Sequence, residues 1–216
     1  MIVVKLSGHL IRDKKAIQAL FGKLCYLLKT GFRLAVIPGG SVFADFIRNL
    51  QVELGFSDDI AHWLAVKSME LYGIYLASHH SCAIEVYSLA EIDKVLDQGK
   101  IPVLLPYRTL RVYDALPHSW SVTSDSIAVY LGRLLGSELV ILSKPIDGII
   151  DKRRGLIRTI SCRDLSREKM LVMDKFALEL ACKYKIKLAI LNAFKPWVLE
   201  DAVRMKTGDY TLILPE

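Results

Sequence analysis

The sequence predicts an α/β fold, a three-layer αβα sandwich with a mainly parallel central sheet. Three observations predict it. Short runs rich in β-branched residues alternate along the chain with longer amphipathic segments, which is the pattern of βαβ units. The 216 residues are 52% hydrophobic, which is enough for one substantial core. No linker or repeat interrupts the alternation, so we expect a single domain over residues 1–216.

The predicted elements follow one another in a regular order. Apolar residues recur at helical spacing from Ile17 to Leu28, which predicts the first helix, and Gly31 is a typical C-terminal signal after it. Ser57 precedes two aspartates and predicts the start of the third helix. We expect strands at residues 2–7, 32–37, 83–86, 101–105, 139–143, 186–191 and 210–214. We expect helices at residues 13–30, 42–54, 57–75, 89–98, 124–135, 173–184 and 197–205, with irregular segments at 106–122 and 144–158.

Composition and charge exclude several classes of protein. No apolar run approaches the roughly 20 residues of a membrane span, and the N-terminus lacks the pattern of a signal peptide, so we expect a cytoplasmic protein with reduced cysteines and no membrane partner. The net charge is +6, and residues 151–216 hold 14 Lys and Arg against 9 Asp and Glu. These charges alternate with acids and lack interleaved aromatics. We therefore expect a solvated basic surface or a polyphosphate ligand, and no nucleic acid.

Two predicted strands end in residues that suit a phosphate. Lys5 closes the first strand and Gly8 follows it; a lysine there favours an anion, and a glycine lets backbone approach the ligand. The second strand runs into a Pro-Gly-Gly-Ser turn at residues 38–41 and then a helix, where free N–H groups and the helix dipole favour an anion. The structural alternatives are a plain strand end and a tight turn with positive φ.

Two later segments add a carboxylate and a second lysine. Thr123 or Ser124 would cap a helix whose first turn contains Asp125. A structural cap explains this segment fully, whereas the functional interpretation is that Asp125 orients a catalytic lysine. Lys144 follows a buried strand and precedes a Pro-Ile-Asp-Gly turn, and its structural alternative is a solvated lysine beside a turn.

Together these segments bring two glycine turns, two lysines and one aspartate to the carboxyl ends of parallel strands, where open α/β sheets bind ligands. This set fits phosphoryl transfer, in which catalysis is largely positioning and charge neutralisation. It includes no nucleophile–base pair. The four cysteines form no CxxC motif, and we predict no protein ligand set for a metal.

The order of the segments resembles the amino acid kinase superfamily over nearly the whole chain. Uridylate kinases of that superfamily carry K-x-S/G-G, a Gly-Gly turn, T-T-D-T-A-A, T-K-V-D-G and V-M-D-x-x-A. The corresponding segments here are residues 5–8, 38–40, 123–128, 143–148 and 172–177. The resemblance implies a carbamate kinase-like fold, an ATP-dependent transferase that uses Mg²⁺, a small phosphorylated substrate and a homo-oligomer.

A closer resemblance is to the small archaeal kinases of methanofuran biosynthesis, carried by residues 38–48, 57–65 and 120–126. It implies phosphorylation of an aminomethylfuran-methyl phosphate to its diphosphate. Two positions depart from the superfamily pattern. Ser41 stands where the turn usually has a third glycine, which leaves the backbone less free, and Pro145 replaces a valine after Lys144, which stiffens that turn.

The resemblance also implies roles. Lys5, Asp125 and Lys144 are the expected catalytic residues, with Asp125 holding Lys5 against the transferred group. Residues 1–137 would bind the acceptor and residues 138–216 would bind ATP. The residues expected to bind ATP are Ser7, Gly8, Gly39, Gly40, Lys144, Asp147, Gly148 and Asp174. The residues expected to bind the acceptor are Ser41, Asp45, Arg48, Asp59, His62, Thr123 and Ser124.

Several alternatives remain at this point. Asp59 and His62 are three residues apart and share a helical face, but a lone helical histidine is also often structural. Another small-phosphate kinase, such as a uridylate kinase, would use the same phosphate-binding residues. A non-catalytic nucleotide or oxyanion storage protein of the same fold is the alternative outside enzymes. The joint presence of Lys5, Asp125 and Lys144 favours catalysis over storage.

Overall fold

The computed structural model describes residues 1–153, 155–167 and 172–215. Eight strands form one sheet in the order β3-β4-β2-β1-β5-β9-β10-β8, and β6 and β7 form a separate hairpin. The strands are β1 (Ile2–Leu6), β2 (Leu34–Pro38), β3 (Ala83–Val86), β4 (Ile101–Leu104), β5 (Leu139–Lys144), β6 (Ile149–Asp151), β7 (Gly155–Ile157), β8 (Thr159–Ser161), β9 (Lys187–Asn192) and β10 (Tyr210–Leu214).

The helices cover both faces of this sheet. Their positions match the predicted helices within a few residues where a helix is predicted. The helices are α1 (Lys14–Lys29), α2 (Ser41–Leu54), α3 (Asp58–Ala77), α4 (Leu89–Asp97), α5 (Tyr107–Val112), α6 (Ser124–Leu134), α7 (Cys162–Arg167), α8 (Lys175–Tyr184) and α9 (Val198–Val203), with a short 3₁₀ helix at Gly8–Arg12.

The sheet is mainly parallel, as predicted. Strand β1 lies at its centre and pairs in parallel with β2 on one side and β5 on the other. Antiparallel pairing in the eight-stranded sheet occurs between β9 and β10. Parallel neighbours place their carboxyl ends at one edge of the sheet. The last residues of β1, β2 and β5 therefore lie side by side at that edge.

Two apolar cores lie on the two faces of the sheet. Successive side chains of β1 alternate between them: Val3 packs with α6 and α8 on one face, and Val4 packs with α1 and α9 on the other. This alternation follows from the two-residue period of a strand. Both cores are needed because a parallel sheet is buried on both sides, and together they define the three layers.

The structure adds short elements that the sequence did not predict. Helix α5 lies in a segment that we expected to be irregular, and the β6–β7 hairpin lies in the turn-rich segment that follows β5. Strand β8 and helix α7 fall where no element was predicted. Each has three to six residues, which is too short to display a hydrophobic period.

The cysteines differ from expectation, because the structure pairs all four as disulfides. Cys25 pairs with Cys82 across a Cα–Cα distance of 6.5 Å, and Cys162 pairs with Cys182 across 5.9 Å. The spacing of the four cysteines in the sequence does not indicate either disulfide. Among the described helices, none is both long enough and apolar enough to cross a bilayer.

Candidate active site

The last residues of β1 and β5 bring two lysines to one carboxylate. Lys5 Nζ lies 2.8 Å from Asp125 Oδ1, and Lys144 Nζ lies 2.6 Å from Asp125 Oδ2. Asp125 comes from the first turn of α6, which starts opposite the same sheet edge. All three predicted catalytic residues therefore lie in one cluster.

Burial and charge oppose each other at this cluster. Burial acts to raise the pKa of Asp125, but the positive charges of Lys5 and Lys144 outweigh it and hold that pKa below its ordinary value. Burial lowers the pKa of the Lys144 ammonium, the charge of Lys5 lowers it further, and Asp125 offsets part of the effect. The cluster as a whole holds one more positive than negative charge, which suits an anionic ligand.

Two glycine turns pack directly against each other beside the lysines. A Cβ atom on Gly8 would lie 2.4 Å from the Cα of Ser41, and one on Gly39 would lie 3.0 Å from the Leu6 carbonyl oxygen. Both contacts are to backbone, so a side chain at either position would push the turns apart. The two predicted phosphate-binding turns thus form one continuous backbone surface, in which Gly39 N donates to Leu6 O at 3.0 Å.

Ser41 holds the turn in an unusual conformation. Its φ is 55°, in the left-handed region that non-glycine residues rarely adopt. Its hydroxyl donates to the Gly8 carbonyl oxygen at 3.1 Å, which ties the two turns together. Ser41 stands where the superfamily pattern has a third glycine. Its hydrogen bond to Gly8 offsets part of the cost of the left-handed conformation, which a glycine would adopt freely.

Helix α2 begins at this turn without a side-chain cap. Its N-cap residue is Gly40, which offers no hydrogen-bonding side chain. Among the described residues, no hydrogen bond reaches the amides of Ser41, Val42 or Phe43. Unsatisfied amides at a helix N-terminus form an anion-binding site, and Gly40 and Ser41 line the cavity described below.

Asp174 connects the start of α8 to the start of α6. It caps α8 through Ala177 N at 2.7 Å and accepts from the Thr123 hydroxyl at 2.5 Å and from both the amide and the hydroxyl of Ser126. These bonds use both carboxylate oxygens of a residue that we expected to bind ATP. The structure shows Asp174 fixing the helix that presents Asp125.

The cluster faces a cavity of about 620 Å³. Its floor is the cluster itself, and its walls come from α2, α3 and the loop before α6. The predicted site residues that line it are Lys5, Ser7, Gly8, Gly40, Ser41, Asp45, Arg48, His62, Thr123, Ser124, Asp125 and Lys144. This volume is within the range of pockets for small-molecule ligands.

Five predicted site residues do not line this cavity: Gly39, Asp59, Asp147, Gly148 and Asp174. Gly39 lies behind the turn surface. Asp147 accepts from Asn192 Nδ2 at 2.9 Å and pairs with Lys195 at 2.8 Å, and these two contacts lower its pKa. Gly148 is fixed against β10, because an added Cβ would lie 2.4 Å from the Thr211 hydroxyl.

The rotation of α3 about its axis decides which of its acidic residues reaches the cavity. Asp58 and His62 are four residues apart on α3 and both line it, whereas Asp59 points away. Across the cavity, Asp45 and Arg48 share a face of α2. The Arg48 guanidinium lies 4.5 Å from the centre of the Trp120 ring, and this ring also lines the cavity. Asp58, Arg12 and Trp120 were not predicted as site residues. Asp58 and Asp59 precede His62 by four and three residues, so the helical period alone does not separate them.

Asp59 contacts a histidine that the sequence gave no reason to select. Its Oδ1 lies 2.5 Å from His118 Nδ1, and the His118 ring stacks on His62 with centroids 4.2 Å apart. The long loop before α6 brings His118 to α3. No motif marks such a contact, because it depends on how the loop folds back.

One group of three possible metal ligands lies elsewhere in the described part of the chain. Cys25, His80 and Cys82 place their ligand atoms within 4.8 Å of one another. The two sulfurs are bonded to each other in the structure, so they are not offered as thiolates. None of these three residues lines the cavity.

Comparison with known proteins agrees with this geometry. The model of the amino acid kinase family matches residues 1–192. The chain belongs to the amino acid kinase family. It is therefore a kinase, and the Lys5–Asp125–Lys144 cluster lies in its phosphotransferase domain. 

The kinase is similar to relatives along its whole length. It is 30% identical to the [5-(aminomethyl)furan-3-yl]methyl phosphate kinase of Methanocaldococcus jannaschii, over 99% of this chain and 98% of that protein. It is 23% identical to the uridylate kinase of Baumannia cicadellinicola, over 100% of this chain and 93% of that one. Both relatives are kinases by name, and the first is the more similar of the two.

Solved structures show the same fold. The UMP kinase from Ureaplasma parvum superposes with a TM-score of 0.73 at 18% identity, covering 99% of this chain and 98% of that one. The uridylate kinase from Archaeoglobus fulgidus gives 0.76 at 18% identity, covering 98% and 99%. At this level of identity the likeness establishes the three-layer architecture.

Proposed function

We propose that the kinase transfers the γ-phosphoryl group of ATP to [5-(aminomethyl)furan-3-yl]methyl phosphate, giving its diphosphate and ADP in methanofuran biosynthesis. The observation that carries the proposal is the Lys5–Asp125–Lys144 cluster at the floor of a cavity whose far wall is both acidic and aromatic. The 30% identity to a kinase of that name supports it.

The cluster supplies the charge that phosphoryl transfer needs. As an oxygen of the acceptor phosphate forms its bond to the γ-phosphorus, the bond from that phosphorus to the β–γ bridging oxygen breaks and ADP leaves. Lys5 neutralises charge on the transferred group, Lys144 is the second cation, and Asp125 holds both ammonium groups in place. The acceptor phosphate is already an anion, so no strong general base is required.

The backbone surface of the two glycine turns binds the phosphates in this proposal. Free amides at the start of α2 and the close approach at Gly8 and Gly39 suit phosphate oxygens. Ser7 directly precedes Gly8, and its amide lies 3.4 Å from the Ser143 hydroxyl. A side chain at either glycine would push the two turns apart and displace these amides.

ATP with Mg²⁺ fits the residues present. Both oxygens of Asp125 contact lysines, so this carboxylate is not offered to a metal. Mg²⁺ would be held by phosphate oxygens and water, which suits an ion that retains several waters, and when bound it would neutralise charge on the phosphates. We assign ATP to residues 138–216, with Asp147 and Gly148 near the nucleotide, and the acceptor to residues 1–137.

The two ends of the furan substrate make opposite demands on the cavity. Its phosphate needs cations and hydroxyls, which Arg48, Thr123 and Ser124 supply. Its amine needs a carboxylate, which Asp45 and Asp58 supply from facing helices. Among the described residues, Asp45 makes no hydrogen bond or ion pair and is free to pair with the amine.

Location and assembly belong to the same proposal. A kinase that draws on ATP for a biosynthetic step would act in the cytoplasm. We also propose that it associates into a homo-oligomer. Size-exclusion chromatography with light scattering would test the assembly, and a monomeric mass at all concentrations would contradict it.

The test is ADP release from ATP with a panel of acceptors: the furan phosphate, UMP, carbamate, isopentenyl phosphate and acetylglutamate. We expect the highest kcat/KM with the furan phosphate. Preference for UMP by tenfold or more would replace the proposal with a uridylate kinase. ATP binding without ADP release in the presence of any acceptor would favour a storage role.

A further inference from the structure

His118 lies between two carboxylates. Its Nδ1 is 2.5 Å from Asp59 Oδ1, and its Nε2 is 2.9 Å from Asp114 Oδ1. Ionised carboxylates only accept hydrogen bonds, so both ring nitrogens must donate, and only the imidazolium ion has an N–H on each nitrogen. The two hydrogen bonds outweigh partial burial and raise the pKa of His118. The geometry therefore favours the positively charged form of His118.

His62 shows the opposite behaviour beside it. Its ring is parallel to that of His118 within 13°, with centroids 4.2 Å apart, and 8% of the residue is exposed. Burial, and then the charge of His118, lower the pKa of His62 to about 4. The described residues provide no hydrogen bond to either nitrogen of His62. A neutral imidazole with unused nitrogens thus lines the acceptor end of the cavity.

The surroundings fix both rings. The Trp63 ring meets His62 and His118 edge-on, at centroid distances of 5.0 and 5.1 Å. The guanidinium of Arg111 lies 4.5 Å above the Trp63 ring. The charged or titratable groups that act on His62 are His118 and Asp114 from the loop before α6, and Asp59 from its own helix; Asp58 lies one turn before it on the cavity face. Neither ring can turn without disturbing this packing.

We propose that His62 is a specificity-determining residue that accepts a hydrogen bond from an ammonium group on the phosphoryl acceptor, and that His118 is a positioning residue that keeps His62 neutral and oriented. The inference rests on the proposed function for the presence of an amine. A protonated His62 would repel an ammonium group, whereas a neutral imidazole offers it a lone pair beside Asp58. Asp59, which we expected to touch the acceptor, acts through His118 instead.

The charge relationship is tested on the free, full-length enzyme by NMR titration of its histidines. In the wild type, His62 should remain neutral down to about pH 5. In His118→Gln, which keeps a polar side chain but removes the charge, the proton affinity of His62 should rise tenfold or more. His118→Arg restores a cation between the two acids and should reverse that rise. His79→Gln, just beyond the C-terminal end of α3, is the matched control.

Two titration results would overturn the positioning role. One is a wild-type His62 that titrates near pH 6.5. The other is a His62 titration that His118→Gln leaves unchanged while circular dichroism shows an intact fold. If His118→Gln does not fold, His118→Arg is compared with the wild type instead. A higher proton affinity of His62 in His118→Arg than in the wild type would also contradict the proposal.

The ammonium contact is tested with a matched pair of acceptors, the aminomethyl furan phosphate and the analogue with a methyl group in place of the aminomethyl group. Binding of each is measured in the wild type and in His62→Phe, which retains an aromatic ring. We expect His62→Phe to weaken binding of the amine tenfold or more and to change binding of the analogue less than threefold. Equal losses would contradict the contact. If the enzyme binds neither compound, the proposed function and this contact both fail, while the titration still decides the role of His118.

Discussion

Lys5 Nζ and Asp125 Oδ1 are 2.8 Å apart, and both side chains are more than nine-tenths buried. The contact is an ion pair between a buried ammonium group and a buried carboxylate. An ammonium group has three N–H donors, so Lys5 can also donate to oxygen atoms in the cavity that it lines. Lys144 completes the neutralisation of Asp125 through an aligned hydrogen bond.

Replacing Lys5 with methionine should lower kcat by about 10²–10³-fold, because one donor to the developing charge is removed. ATP affinity should change far less, since the turn amides and Lys144 remain. Steady-state kinetics with ATP varied at saturating acceptor measure both. Lys23→Met, which removes a lysine paired with Glu200 outside the cavity, should leave kcat unchanged. Near-normal turnover by Lys5→Met would remove Lys5 from the transfer step.

Replacing Asp125 with asparagine should reduce the free energy of unfolding at pH 7 by about 3–5 kcal/mol, because two buried ammonium groups lose their shared partner. Urea unfolding measures the change. Asp93→Asn, at an exposed ion pair with Arg33, should have little effect. A difference below about 1 kcal/mol between these two variants would contradict the buried triad.

The same carboxylate predicts a pH dependence of stability. Because the folded-state pKa of Asp125 lies below its ordinary value, its contribution is present above about pH 4, the unfolded value. It is lost as pH falls through the lower folded value. The stability difference between wild type and Asp125→Asn should therefore shrink in acid. A difference that grows as pH falls from 5 to 3 would have the wrong sign.

The strained turn at Ser41 predicts that two variants at this position differ in stability. Ser41→Gly removes the left-handed strain together with the hydroxyl bond to Gly8, whereas Ser41→Ala loses the bond and keeps the strain. We expect the alanine variant to be less stable than the glycine variant by about 1 kcal/mol. Urea midpoints compare them. An alanine variant as stable as the glycine variant would show that φ 55° imposes no cost here.

The hydrogen bonds of Asp174 predict that the N-terminal turns of α6 and α8 stabilise each other. In Asp174→Asn, one acceptor oxygen becomes a donor that faces the N–H and hydroxyl groups of Thr123 and Ser126, which should cost about 1–3 kcal/mol of stability. Because α6 presents Asp125, kcat should fall as well. Asp164→Asn changes an exposed carboxylate that accepts from Ser161 and serves as the control. Loss of nucleotide affinity alone, with unchanged stability, would instead support a direct contact with ATP.

The sequence predicted the large elements and the sheet edge because these depend on local patterns. The β-branched runs at β1 and β5 and the helical period of α1 are visible over five to sixteen residues. The parallel alternation then requires that Lys5 and Lys144 end at one edge. The helices and strands that were missed, such as α5 and β8, are too short to carry a period.

The parts of the site that the sequence did not predict depend on contacts between distant segments. The choice between Asp58 and Asp59 as the cavity-facing residue required the rotation of α3, which packing against the sheet fixes. The placement of His118 required the path of the loop before α6. The engagement of Asp174 by Thr123 and Ser126 joins segments 48 to 51 residues apart, and no local pattern specifies it.

The measurement that tests the central claim most directly is a double-mutant cycle in kcat for Lys5→Met and Asp125→Asn, with ATP and the preferred acceptor. If Asp125 acts partly by holding Lys5 against the transferred group, Asp125→Asn should slow Lys5→Met by a much smaller factor than it slows the wild type, because coupled residues give non-additive effects and only the contact with Lys144 is left to lose. A double variant slowed by the product of the two single effects would show that Lys5 and Asp125 act independently, and would contradict a shared phosphoryl-transfer cluster.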